Sequence, residues 1–180
     1  MSLRRFLPQH ICYNALDISL SEFHLTRVLK EPRYNNIAAA SATNIPVESN
    51  AVNLIVSTEC FEHISGVERA VDEIWRISMP RARLICSIPN SYCIMYQKLG
   101  PHPEHINHWT FGGFIKFMNS HNFRFIKGFT KGFWVPIPWL RRTGYTPGYQ
   151  LPISCSNEAY QCNFFYVFEV VKDSTAKSSL

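Results

Sequence analysis

The stretch NLIVSTECFEHI, from Asn53 to Ile64, decides the fold. Its first half, taken together with Ala51 and Val52, is rich in β-branched residues and nearly continuously apolar. This is the pattern of a strand buried on both faces of a parallel sheet. Its second half is polar and acidic. We therefore predict a central strand over Ala51 to Ser57 whose carboxyl end leads into a polar loop.

The segments on either side predict further strands and helices. Apolar residues recur at helical spacing from Val67 to Ile77, with charged residues between them, and Pro80 ends that pattern. Arg83 to Ile88 (RLICSI) is a second buried-type strand. Upstream, Ile11 to Asp17 (ICYNALD) is strand-like, and a helix is predicted over Glu22 to Lys30. Strands that alternate with helices predict an α/β sheet.

The second half of the chain begins with a long polar loop after Pro89. Thr110 is a candidate N-cap for an amphipathic helix from Phe111 to His121. Phe123 to Phe129 and Phe164 to Lys172 are then expected to be late strands.

Composition indicates an ordinary globular domain. The chain has 180 residues, of which 46% are hydrophobic and 17% charged. We predict a single, partial domain over residues 1–172 and a small, polar, disordered tail over 173–180. The net charge of +5 comes from scattered Lys and Arg, so a nucleic-acid partner is not expected.

Location is predicted from what the sequence lacks. It has no run of 18 apolar residues, and residues 1–14 have no continuous apolar stretch that would serve as a signal peptide. Its six cysteines form no C-x-x-C pair, which favours free thiols in a reducing compartment. A cytoplasmic location is the simplest expectation.

Five segments stand in an order that resembles the motif succession of class I S-adenosylmethionine-dependent methyltransferases. They are ALDIS (15–19), ASATNIPV (40–47), NLIVSTECFEHI (53–64), DEIWRI (72–77) and RLICSIPN (83–90). The resemblance implies a Rossmann-like α/β sheet with helices on both faces. It also implies transfer of a methyl group from S-adenosylmethionine to a small or apolar acceptor.

The same resemblance implies which residues bind the cofactor. Asp17 would bind the ribose, since an acidic residue directly after a strand can accept hydrogen bonds from both hydroxyl groups. The adenine edge would be lined by Ser41 and Ala42, and the pocket near the methionine and sulfonium by Ser57, Thr58 and Glu59. Two alternatives stay open: Asp17 as a carboxylate stabilised by a helix dipole, and Ser41 as an ordinary turn residue.

Some positions depart from the family pattern. Ser41 stands where the family has a carboxylate, and Asn53 where it has aspartate. Arg81 and Ala82 stand where it has two glycines. Because serine accepts only an uncharged hydrogen bond, we expect weaker cofactor binding.

The start of the chain departs most. Family members have a first strand and a glycine-rich loop about twenty residues before the ribose-binding aspartate, as in the dinucleotide fingerprint. Only sixteen residues precede Asp17, and none is glycine. The resemblance thus describes a truncated domain without that strand and loop. Three explanations stay open: a fragment, a catalytically inactive remnant that acts as an interaction module, or a sheet completed by another segment or a partner.

Candidate catalytic residues lie in the loop HPEHINH, from His102 to His108, and after the predicted central strand. We predict His105, His108 and His63 to act near the methyl group, since imidazoles can move protons at neutral pH. The loop could instead be a structural element, and His63 could simply hydrogen-bond its surroundings. Three histidines with Glu104 could also bind zinc, but their spacing matches no established zinc pattern, so we predict no metal site.

The segment FTKGFWVPIPWLRR, from Phe129 to Arg142, combines aromatic residues with cations. Such a surface suits weak contact with a membrane or a lipid-like substrate. The alternative is that these residues cover the open end of the sheet. Two prolines predict a loop or insertion here.

Overall fold

The computed structural model describes residues 13–18, 34–100, 102–136, 148–151 and 157–172. The chain forms two compact units, residues 1–46 and 47–180. The expected helix over 22–30 and the expected tail over 173–180 lie outside the described residues. A single domain over 1–172 stays a prediction.

The first unit contains a pair of parallel strands. Strand β1 (Tyr13–Asp17) pairs with β2 (Tyr34–Ala39). Beyond the pair, the Ala40 N–H donates to the carbonyl oxygen of Asp17 at 2.9 Å. The strand predicted to end at Asp17 is therefore confirmed over its described residues.

The second unit is a mixed sheet with helices. Its elements are β3 (Val52–Thr58), α1 (Val67–Ile77), β4 (Ser78–Pro89), α2 (Ile94–Leu99), α3 (Phe111–Ser120), β5 (Phe123–Pro136), β6 (Gly148–Leu151) and β7 (Gln161–Val170). Two 3-10 turns span Phe61–His63 and Glu158–Tyr160. The described strands run in the order β3-β4-β7-β5-β6, and β3 with β4 is the parallel pair among them.

The unit β3-α1-β4 forms as the sequence predicts. Helix α1 buries the apolar positions that recur at helical spacing, and these are Val67, Ala70, Val71, Ile74 and Ile77. Ser57 and Thr58 in β3 lie opposite Cys86 and Ser87 in β4. Parallel pairing therefore brings the carboxyl ends of both strands to one edge of the sheet.

The prediction of β3 as a central, fully buried strand is wrong for the described part of the chain. β3 is the first strand of its sheet, and it pairs there with β4. No residue of β3 is fully buried, and Leu54 is 38% exposed. A continuous apolar run predicts burial only if other elements cover both faces of the sheet at that strand, and here several side chains of β3 stay exposed.

Aromatic side chains from α3 and β7 form the core of the second unit. Phe114 is 0% exposed, and its ring centroid lies 5.0 Å from that of Tyr166 and 5.6 Å from that of Phe61. Thr110 caps α3 as predicted, because its Oγ1 accepts from the Gly113 N–H at 3.0 Å. Aromatic residues from the second half of the chain thus supply much of this core.

Two sequence predictions for connecting segments need correction. Helix α2 lies inside the loop predicted after Pro89. Strand β5 continues to Pro136, so the described start of the segment from Phe129 to Arg142 is a strand, not a loop, and residues 137–142 lie outside the description. The prolines of this segment led to the prediction of a loop, but a strand can tolerate proline at its end, and Pro136 is the last residue of β5. None of the described helices has the length and apolar character needed to cross a membrane.

Arg81 has a backbone conformation that favours glycine. Its φ is 66°, in the left-handed region. It lies where the pairing of β3 with β4 is irregular, because Val52 pairs with Ser78 whereas Leu54, two residues on, pairs with Arg83, five residues on. A side chain there clashes with its own backbone, at a cost of about 1–2 kcal/mol. Arg81 is one of the positions where the resembling family has glycine.

We expect Arg81→Gly to raise the free energy of unfolding by up to about 1 kcal/mol, since glycine removes the strain but adds entropy to the unfolded chain. Arg81→Ala is the control, because it removes the charge and keeps the Cβ. Urea denaturation measures both. Equal stabilisation by the two variants would contradict the strain and point to the guanidinium charge.

Candidate functional site

Glu59 links three strands at the carboxyl edge of the second sheet. It follows β3 with a φ of 48°, and its N–H donates to the carbonyl oxygen of Ser87 at 3.0 Å. Its carboxylate accepts from the Ser87 hydroxyl at 2.8 Å and from Nδ2 of Asn163 at 3.2 Å. Ser57 is half-buried, whereas Thr58 and Glu59 are exposed. The polar groups at this edge are therefore held in place and accessible.

The predicted nucleoside-binding residues lie in the first unit. Asp17 ends β1 and is exposed. Ser41 and Ala42 follow β2 and are half-buried. Oγ of Ser41 lies 2.8 Å from Oγ1 of Thr43 and accepts from the Thr43 N–H at 3.2 Å. Ser41 thus acts as a turn residue here, and its contact with adenine stays a prediction.

The histidine-containing loop is fixed to the turn after β3. The side-chain amide of Asn107 donates to the carbonyl oxygens of Phe61 and Ile64, at 2.9 and 2.8 Å. The backbone N–H groups of Ile106 and Asn107 both donate to the carbonyl oxygen of Glu62, at 2.9 and 3.1 Å. These four bonds hold residues 104–108 against residues 61–64.

The structure brings together His63, His102 and His105. The ring centroids of His63 and His105 are 4.7 Å apart, and those of His102 and His105 are 4.6 Å apart. His63 Nδ1 lies 3.0 Å from the carbonyl oxygen of Glu104. A carbonyl only accepts, so Nδ1 carries the hydrogen and Nε2 of the neutral ring has a lone pair. His108 is exposed on the same loop.

Glu62 is the buried member of this cluster. Its side chain is 1% exposed, and within the described residues neither carboxylate oxygen has a hydrogen-bond partner. His63 Nε2 lies 3.7 Å from Oε1 of Glu62. Burial raises the pKa of Glu62 to about 7. Burial, with the neighbouring imidazoles, lowers the pKa of His105 to about 4.

Glu62 and Asn107 were not among the candidate site residues from sequence. The signal for Glu62 is its position between Phe61 and His63 shortly after a strand, in a short turn that buries both Phe61 and Glu62. Asn107 carries no such signal, because its bonds depend on how the loop folds back. Together the two residues give the site a buried carboxylate and a fixed loop.

Solved structures with a similar fold include methyltransferases and a cyclase. A methyltransferase chain in complex with the Haloferax volcanii Trm112 methyltransferase activator has a TM-score of 0.65 and 12% identity, covering 89% of this chain and 72% of that one. The Burkholderia thailandensis 1,6-didemethyltoxoflavin-N1-methyltransferase with bound S-adenosylhomocysteine has a TM-score of 0.57 and 11% identity, covering 88% of this chain and 61% of that one. The [4+2]-cyclase SpnF has a TM-score of 0.59 and 10% identity, covering 91% of this chain and 67% of that one. Identity this low shows the fold alone.

The family comparison is more specific. Residues 3–86 match the family described as a methyltransferase domain. This first part of the chain resembles a methyltransferase domain. The match contains Asp17 and the residues up to Glu59, whereas His105 and His108 lie beyond it. No curated protein matches the chain.

We expect Asn107→Ala to lower the free energy of unfolding by about 1–3 kcal/mol, because two carbonyl oxygens lose their hydrogen-bond donor. Hydrogen exchange at the backbone amides of Ile106 and Asn107 should quicken as the loop detaches. Glu104→Gln, which changes an exposed side chain of the same loop, should leave both quantities unchanged. An Asn107 variant with the exchange protection of the unmodified protein would show that the loop is held by other contacts.

Proposed function

We propose that the protein transfers a methyl group from S-adenosylmethionine to a small or apolar acceptor. The observation that carries the proposal is the family match over residues 3–86, which includes every residue predicted to bind the cofactor. The structures of other methyltransferases with this fold support it.

The described residues fit the chemistry of this cofactor. A ribose needs hydrogen-bond acceptors, and Asp17 offers an exposed carboxylate at the end of a parallel strand. The positive amino and sulfonium groups are favoured near an acceptor-rich edge. Glu59 supplies a carboxylate there, although Ser87 and Asn163 already donate to it. We therefore assign Asp17 the larger share of cofactor affinity.

The chain's own residues would carry the rest of the reaction. S-adenosylmethionine supplies a methyl group activated by its positive sulfur. The protein must hold the acceptor in line with that group, exclude water and remove a proton from the acceptor. We assign the removal of this proton to His108, whose imidazole is exposed on the histidine loop, and the shaping of the acceptor side to His105 and His63.

A second candidate function is that of a methyltransferase-like interaction module. The edge strand β3 favours it, because Leu54 is 38% exposed and the strand pairs on one side within the described residues. An exposed apolar edge of this kind is a template for pairing with another chain. Cofactor binding separates the two functions.

We expect Asp17→Asn to weaken S-adenosylmethionine binding by about 10- to 100-fold, since it replaces charge-assisted hydrogen bonds with neutral ones. Isothermal titration calorimetry measures the dissociation constant. Glu68→Gln makes the same change of charge on the exposed face of α1 and should leave the affinity unchanged. No binding at millimolar cofactor by folded protein, with identical behaviour of the Asp17 variant, would favour the interaction module.

We expect His108→Ala to lower kcat by about 100-fold or more while the affinity for S-adenosylmethionine stays the same, because the variant loses a proton acceptor and no cofactor contact. Release of S-adenosylhomocysteine with a panel of small phenols, amines and thiols measures turnover. His121→Ala, which changes an imidazole bonded to Asp72, is the control. A weaker cofactor affinity in the His108 variant would contradict its assignment to the acceptor side.

A further inference from the structure

Three ligand groups converge where the turn after β3 meets the histidine loop. One donor atom from each of Glu62, His63 and His105 lies within 4.8 Å of the other two. In a tetrahedral site with metal–ligand distances of about 2.1 Å, neighbouring donor atoms are about 3.4 Å apart. The 3.7 Å from His63 Nε2 to Glu62 Oε1 is close to that spacing, so small side-chain movements would bring the atoms into coordination distance.

The Glu62 carboxylate calls for a positive partner. It is 1% exposed, and in the described part of the chain neither oxygen accepts a hydrogen bond. Nδ1 of His105 is likewise buried without a hydrogen-bond partner among those residues. A buried carboxylate without partners is costly, and buried charges in proteins are normally paired or bound to metals. Two such groups in one cluster, whose donor atoms lie within 4.8 Å of one another, indicate a site for a cation.

His63 is already oriented as a metal ligand. Its Nδ1–H donates to the carbonyl oxygen of Glu104 at 3.0 Å. Metal-binding histidines usually donate their second ring nitrogen to a carbonyl or carboxylate, which fixes the tautomer and aims the lone pair at the ion. The lone pair of His63 is therefore on Nε2, the nitrogen that faces Glu62.

We propose that Glu62, His63 and His105 bind a divalent transition-metal ion, zinc or a chemical analogue of it. Two imidazoles and one carboxylate suit transition metals, whereas magnesium and calcium prefer all-oxygen sites. Three protein ligands also leave a coordination position open, as in catalytic zinc sites. A metal there would polarise an oxygen of the acceptor, and His108 would still be available as the proton acceptor.

This inference revises the sequence prediction that no metal site exists. That prediction considered His102, His105 and His108, whose spacing along one loop fits no zinc pattern. The proposed ligands instead come from two segments, residues 62–63 and residue 105, which Asn107 holds together.

Cobalt(II) is the sharpest probe, because its visible absorption reports ligand number and type. Chelator-treated protein is titrated with cobalt and then with zinc, and zinc is also measured by calorimetry. We expect one ion per chain, visible d–d bands and displacement of cobalt by zinc. Binding is independent of methyl transfer, so this result stands even if the proposed function fails.

Glu62→Gln and His105→Gln should each weaken cobalt and zinc binding by at least about tenfold. Removal of a residue that only hydrogen-bonds to a metal ligand typically costs about 10- to 100-fold, and removal of a ligand itself should cost no less. Glu104→Gln is the matched control for loss of a carboxylate in the same loop, and it should bind as the unmodified protein does. Far-ultraviolet circular dichroism checks that each variant folds. Glu62→Gln removes a buried charge and keeps its shape, so it should remain folded.

Three results would overturn the proposal. The first is no saturable binding of cobalt or zinc by folded protein. The second is equal affinity in Glu62→Gln, which would place the ion elsewhere. The third is an intense near-ultraviolet charge-transfer band with cobalt that disappears in Cys60→Ser or Cys93→Ser, which would show thiolate ligands instead.

Discussion

Parallel pairing of β3 with β4 is the constraint on which the functional edge depends. It sets Ser57 opposite Cys86 and Thr58 opposite Ser87, so the residues after both strands leave the sheet on the same side. Glu59 then joins Ser87 and Asn163 through its carboxylate. Helix α1 maintains this pairing because its apolar face is buried.

The turn after β3 depends on a second set of contacts from the loop. Asn107 and its neighbour satisfy the carbonyl oxygens of residues 61–64, so the turn keeps its hydrogen bonds while the Glu62 side chain points inward. Phe61 is fully buried against Phe114, which anchors the turn to the aromatic core. The carboxylate of Glu62 is therefore held in a buried position by backbone hydrogen bonds and by packing, and among the described residues neither of its oxygens accepts a hydrogen bond.

The second unit combines a packed aromatic core with an exposed strand, and this contrast is compatible with two functions. α3 and β7 give the second unit a well-packed interior around Phe114 and Tyr166. β3, in contrast, has no fully buried residue. A methyltransferase fold in which β3 pairs on one side within the described residues can act on a small acceptor or can dock another chain, and fold alone does not decide between them.

The sequence by itself determined the unit β3-α1-β4, because strand and helix periodicity are local properties. It also indicated a likeness to methyltransferases, through motifs that run from Ala15 to Asn90, and it predicted the N-cap at Thr110. It could not determine whether β3 is buried, since burial depends on which elements cover the two faces of the sheet, and the residues of β3 do not reveal them. Nor could it reveal that Glu62, His63 and His105 meet, because that contact joins residues 42 positions apart and depends on the hydrogen bonds of Asn107. Only the tertiary structure decided the chemistry of this site, since what the charge and lone pairs of a side chain can bind depends on the groups that folding places beside them.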